Sequence, residues 1–68
     1  MALIYHENRT KHRYYCWATD ALRLVGWLVQ QRCRFEYEHV SSGDDPDHII
    51  TCGLKPEDLS SRFEISRQ

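Results

Sequence analysis

The apolar residues of this 68-residue chain recur at two different periods. Towards both ends they alternate with polar ones, as in a strand with one dry face; in the middle they recur at i, i+3, i+4 and i+7, as along one side of a helix. "ALIYHE" (2–7) and "KHRYYCWA" (11–18) are rich in Tyr, Ile and Trp, which favour strands, and Asn8 in the intervening "NRT" suits a turn. These two segments are predicted to form a hairpin. A helix is predicted over about residues 19–33, where Ala21, Leu24, Val25 and Leu28 make the apolar stripe and Leu22 and Val29 widen it. Thr19 is the predicted N-cap, Asp20 lies in the first turn, and Arg32 suits the negative helix terminus. Gly26 would cost about 1 kcal/mol relative to alanine, so its place at the edge of the apolar arc predicts close packing against a sheet.

"RFEYEHV" (34–40) puts Phe35 and Tyr37 on a dry face and Arg34, Glu36 and Glu38 on a wet one. "SSGDDPD" is a loop punctuated by Gly43 and Pro46, and "HIITCGL" (48–54) is the strand that completes an antiparallel hairpin. "KPEDLSS" reads as a short helical turn with Pro56 at its first position. "RFEIS" sets Phe63 and Ile65 at strand spacing, as an additional edge strand. The predicted fold is α+β: a single domain over residues 1–68, with one amphipathic helix on an antiparallel sheet of four or five strands in ββαββ order. Only one sheet face can meet that helix.

One residue sits badly in this scheme. At about 100° per residue, Trp27 falls among Asp20, Arg23, Gln30 and Gln31, opposite Ala21 and Val25. Either the chain's own C-terminal segment or a loop covers it, or it is an interface anchor of the kind in which binding energy concentrates. We carry the second reading, with Trp27, Arg23, Gln30 and Gln31 as partner-binding residues and a homodimer as one form of it.

Charge narrows the partners. Nine basic and ten acidic residues give a net charge of −1, and a pI near 6.4 is unlike a dedicated nucleic-acid binder. "RTKHRYYCW" nonetheless interleaves cations with rings, as a single-strand-binding groove does. The alternative function is therefore a small single-stranded nucleic-acid binder using Arg9, Lys11, Arg13, Tyr15 and Trp17. The acidic loop with Asp44, Asp45 and Asp47 opposes it. Three cysteines, an odd number without a close pair, suggest free thiols in a reducing cytoplasm. The N-terminus lacks the pattern of a signal peptide, and no apolar run approaches the roughly 18 residues of a membrane span.

Little points to chemistry. Structural zinc favours close ligand pairs, and His12–Cys16 is a lone half-pair, although His39 and His48 could approach each other if their hairpin closes between them. "SGDDPDH" lacks the calcium-loop pattern with its terminal glutamate. Cys–His pairs can be drawn from three Cys and four His by combinatorics alone, without the cleft and orienting group that catalysis needs. The expectation is no enzyme, no metal and no cofactor.

At the level of architecture, a very small, near-neutral chain with one helix on a sheet resembles the host-takeover and anti-defence inhibitors of phages and mobile elements, anti-CRISPR proteins among them. No motif carries this resemblance, and no residue role transfers with it. It implies a protein-binding inhibitor that occludes a surface of a larger enzyme or ribonucleoprotein. The acidic Asp44, Asp45 and Asp47, with Glu36 and Glu38, would then compete for a basic groove.

Overall fold

The two periods resolve into seven elements in a computed structural model that describes residues 2–8, 11–40 and 46–67. They are β1 (Ala2–Asn8), β2 (Lys11–Cys16), α1 (Ala18–Gln30), β3 (Phe35–His39), β4 (His48–Cys52), α2 (Pro56–Leu59) and β5 (Glu64–Arg67). The chain is α+β, with the sheet ordered β3-β4-β2-β1-β5. Both predicted hairpins form, with Tyr5 opposite Tyr14 in one and Tyr37 opposite Ile50 in the other. The expectation of a purely antiparallel sheet is corrected, because β5 runs parallel to β1, with Leu3 beside Ile65. The α2 turn is what returns the chain to that edge, so the order extends beyond ββαββ.

Alternation sends Leu3, Tyr5, Tyr14, Cys16, Ile50 and Cys52 to one face, where they are buried under α1 with Ala21, Leu24, Leu28 and Leu59. The Tyr14 hydroxyl donates to the Leu54 carbonyl at 2.6 Å, which gives this core phenol the partner that burial demands. Pro56 opens α2 as predicted, and the Asp58 carboxylate accepts from the Lys55 N–H at 3.1 Å, satisfying a donor that the first turn leaves free.

The helix differs from its prediction at both ends and in its rotation. Trp17, in extended conformation and without a side-chain cap bond, is the N-cap; Thr19 lies inside the first turn. The C-terminus comes at Gln30 because Arg32 turns left-handed, with φ 57°. Its N–H donates to the Val29 carbonyl and that of Cys33 to Leu28, both at 3.0 Å, the double bond of a Schellman ending. Arg32 therefore stands where glycine is usual, rather than in the last helical turn.

Across the helix, Leu22 is 78% and Val29 60% exposed, whereas Asp20 is 4% exposed. Trp27 is half-buried against the core. The buried stripe thus runs through Trp27, Asp20, Leu24, Leu28 and Ala21, turned away from Leu22 and Val29. A ring of tryptophan's area repays burial more than Leu22 or Val29 would, provided something lies on that side to meet it. Gly26 ends up on the exposed side, and a Cβ there would meet nothing within 4 Å. Its predicted close packing is corrected.

Gly26→Ala should therefore raise folding stability by about 0.8–1 kcal/mol, the helix-propensity difference. The check is a higher urea midpoint at unchanged m-value; a lower midpoint would mean that the backbone needs glycine there.

Candidate functional site

Trp27 is covered by the chain itself. The Arg62 guanidinium lies 5.5 Å from the Trp27 ring centroid, and the Arg23 guanidinium lies 5.8 Å from that of Phe63. Two reciprocal cation–π contacts thus join α1 to the segment just before β5, each worth about 0.5–1 kcal/mol where exposed. Arg23, Trp27 and Gln30 share a shallow pocket closed by Arg62 and Phe63, while Gln31 is exposed at the C-cap. The indole Nε1 is buried without a hydrogen-bond partner among the described residues. Trp27 is thus half-buried at the floor of that pocket rather than fully open to solvent.

The exposed apolar area lies on the other flank of α1. A groove of about 410 Å³ runs between α1 and β3, lined by Ala18, Ala21, Leu22, Val25, Phe35, Tyr37 and His48. It lies where β3, an edge strand, flanks β4, the strand that α1 contacts most. Tyr37, predicted dry, is accordingly 50% exposed. Trp17, also at 52%, stands at the start of the same helix. A larger depression of about 640 Å³ near the start of β3 is lined partly by the charged Lys11, Arg34 and Glu36.

β3 also offers its backbone. The Val40 N–H donates to the Asp47 carbonyl at 2.8 Å, and antiparallel bonding alternates from there. Glu36 and Glu38 therefore bond to β4, while the N–H and C=O of Phe35, Tyr37 and His39 point to an edge that is free among the described residues. The same three residues turn their side chains to the face that bears the groove. Sequence reasoning missed this site, although an apolar helix arc wide enough to include Leu22 and Val29 was a signal of it.

The residues of the nucleic-acid alternative come together in part. Lys11, Arg13 and Tyr15 share the sheet face away from α1 with Ile4, His6 and Ile49, and the His6 and Tyr15 rings meet edge-on at 4.8 Å. Glu36, Glu38 and Glu64 share that face, and Glu36 lies 3.4 Å from Lys11. Arg9, Asp44 and Asp45 lie outside the described residues.

At the mouth of the β3–β4 hairpin, His39 and His48 face each other as a cross-strand pair, with rings stacked at 4.6 Å. Asp47 reaches both: its Oδ2 is 3.0 Å from His39 Nε2 and its Oδ1 is 3.4 Å from His48 Nε2. The His39 hydrogen bond holds the Asp47 carboxyl below its ordinary range. On the other side of its ring, His48 Nδ1 is 2.5 Å from the Tyr37 hydroxyl. The possible approach of the two histidines is thus realised.

The cysteines are unpaired. Burial pushes the Cys16 thiol up to about 12 and raises that of Cys52, so neither is a ready thiolate near neutral pH. No helix among the described residues is long and apolar enough to cross a membrane. Comparisons with protein families, curated proteins and solved structures find no match.

Trp27→Ala should cost about 2–3 kcal/mol of folding free energy, below the 3–5 of a fully buried tryptophan. Trp27→Phe, which keeps a ring for Arg62 and removes the unpartnered N–H, should cost less than about 1 kcal/mol, because that donor carries its own desolvation penalty. Urea midpoints, with Leu24→Ala as the core reference, decide it; an unchanged midpoint for Trp27→Ala would show that its cover contributes nothing. Thiol labelling of the folded protein should also proceed first at half-buried Cys33, and fast labelling of Cys16 or Cys52 would contradict their burial.

Proposed function

We propose that the protein is a non-enzymatic protein-binding module that takes an extended segment of a larger protein into the groove between α1 and β3. The observation that carries this reading is the coincidence of an apolar groove with a free strand edge. A bound segment adds a strand along β3 through the backbone groups of Phe35, Tyr37 and His39. Alternate side chains of that segment fall between Leu22, Val25, Phe35 and Tyr37. Backbone bonds then give affinity and the groove gives selectivity, as in other strand-addition complexes.

The inhibitor reading belongs to the same proposal: a domain this small acts by occlusion, covering a surface of a larger enzyme or ribonucleoprotein in the manner of anti-defence proteins. A reducing cytoplasm suits its three unpaired thiols. The groove supports this better than the Trp27 face, where Arg62 and Phe63 already cover the ring. It also supports it better than nucleic-acid binding, because a phosphate chain across Lys11, Arg13 and Tyr15 would meet Glu36, Glu38 and Glu64 beside them.

The control is Gln30→Glu, in the Trp27 pocket that Leu22 also borders, which should keep its partners; Leu22→Glu is the discriminating variant. It places a charge in the groove wall at a highly exposed site, so stability should change by no more than about 0.5 kcal/mol. Partner affinity should fall by about 2 kcal/mol or more, roughly 30-fold. Host lysate is captured on wild type and on Leu22→Glu in parallel, with proteins and nucleic acid both quantified and binding repeated at high salt. Salt-resistant protein partners lost with Leu22→Glu support the reading. Partners retained by the variant, or nucleic acid captured with steep salt dependence, would sink it.

A further inference from the structure

We propose that His39, Asp47 and His48 form a binding site for a divalent first-row transition cation of the zinc class. This goes beyond the protein-binding reading and does not depend on it. The three side chains offer two imidazole nitrogens and one carboxylate, and their ligand atoms lie within 4.8 Å of one another. A tetrahedral ion with arms of about 2.0–2.2 Å separates its ligand atoms by roughly 3.2–3.6 Å. The Nε2 atoms of His39 and His48 stand 3.0 and 3.4 Å from the Asp47 oxygens, so small side-chain rotations suffice to admit an ion between them.

The hairpin supplies the preorganisation. His39 and His48 are the last paired residues of β3 and β4, and the Val40 N–H bond to the Asp47 carbonyl closes the next rung. All three ligands therefore sit at the paired ends of two adjacent strands, which reduces the entropy of assembling the site. Helical spacing rules for zinc ligands do not find such a set, because its members meet across strands.

Beyond the ligands stands Tyr37. Its hydroxyl at 2.5 Å from His48 Nδ1 accepts the Nδ1 proton when Nε2 is the ligand atom. That is the outer hydrogen bond that fixes tautomer and ring orientation in metal-bound histidines. The rings of Tyr37 and His48 lie at an interplanar angle of 28°, so packing also limits imidazole rotation. With three protein ligands, a fourth position is left for water or for a donor brought by a partner.

Zinc chloride titrated calorimetrically into the full, tag-free chain tests the site. The expected result is saturable binding of one Zn²⁺ per chain, weakened about tenfold or more by His39→Ala, by Asp47→Asn and by His48→Ala. Tyr37→Phe should weaken it by about 10–100-fold without removing a ligand. His6→Ala and Cys33→Ser, which alter a histidine and a thiol outside the cluster, should leave it unchanged. Circular dichroism of each metal-free variant keeps the test open: His39 and Asp47 are the more exposed members, so their variants remain informative if His48→Ala does not fold. Absence of saturable binding overturns the proposal. So does binding that survives both His39→Ala and Asp47→Asn, or that is lost with Cys33→Ser or His6→Ala.

Discussion

A five-stranded sheet is wider than one helix. Strands spaced about 4.8 Å apart make a sheet roughly 19 Å across its strand axes, whereas a helix with its side chains covers about 10–12 Å. α1, which meets β4 more than any other strand, can therefore roof only part of this sheet, and much follows from how the two flanks are treated. Towards β1 and β5 the chain supplies its own cover, with Leu59 buried in the core and Phe63 and Ile65 packed against it. Towards β3 no described residue supplies any. The groove is the uncovered remainder, and it falls beside β3, one of the two edge strands of the sheet.

The same width explains the rotation of α1. A helix centred over a narrow sheet would bury the middle of its apolar arc, from Leu24 round to Leu22. Here the C-terminal cover stands on one side only, and α1 turns its tryptophan towards it. The result is a ring met by Arg62 at 5.5 Å and a neighbouring arginine over Phe63 at 5.8 Å. The apparent misplacement of Trp27 on the helical wheel is the mark of the segment before β5 lying beside α1, not of a wet surface.

Local rules read most of the elements correctly, because hairpins, alternation and the Pro56 turn are decided within a few residues. What they could not read was decided at a distance. The pattern of "RFEIS" is the same for a parallel and an antiparallel strand, so the mixed sheet was invisible until α2 set the direction of return. The helix end was hidden because Arg32, not glycine, takes the left-handed position. Leu22 and Trp27 compete for burial on one helix, and only Arg62 and Phe63, more than thirty residues away in the chain, decide between them. Asp47, His39 and His48 were each visible, yet their convergence depends on the register that pairs His39 with His48. A slip of one residue would send the two rings to opposite faces of the sheet.

Tyr37 and His48 belong to both the groove and the histidine cluster, and this makes the two proposals thermodynamically linked. The Tyr37 ring forms part of the groove wall while its hydroxyl holds His48 Nδ1. A cation that draws His48 Nε2 towards Asp47 fixes the imidazole, and through it the tyrosine hydroxyl. An inserted side chain that needs Tyr37 in that orientation finds it already ordered; one that needs it displaced must break the hydrogen bond that steadies the ligand. Whatever factor the cation contributes to segment binding, the segment contributes to cation binding, with the same sign and magnitude, because coupling between two sites is reciprocal. The small size of the domain enforces this economy, since a single exposed tyrosine at the sheet edge is the wall of one site and the outer support of the other.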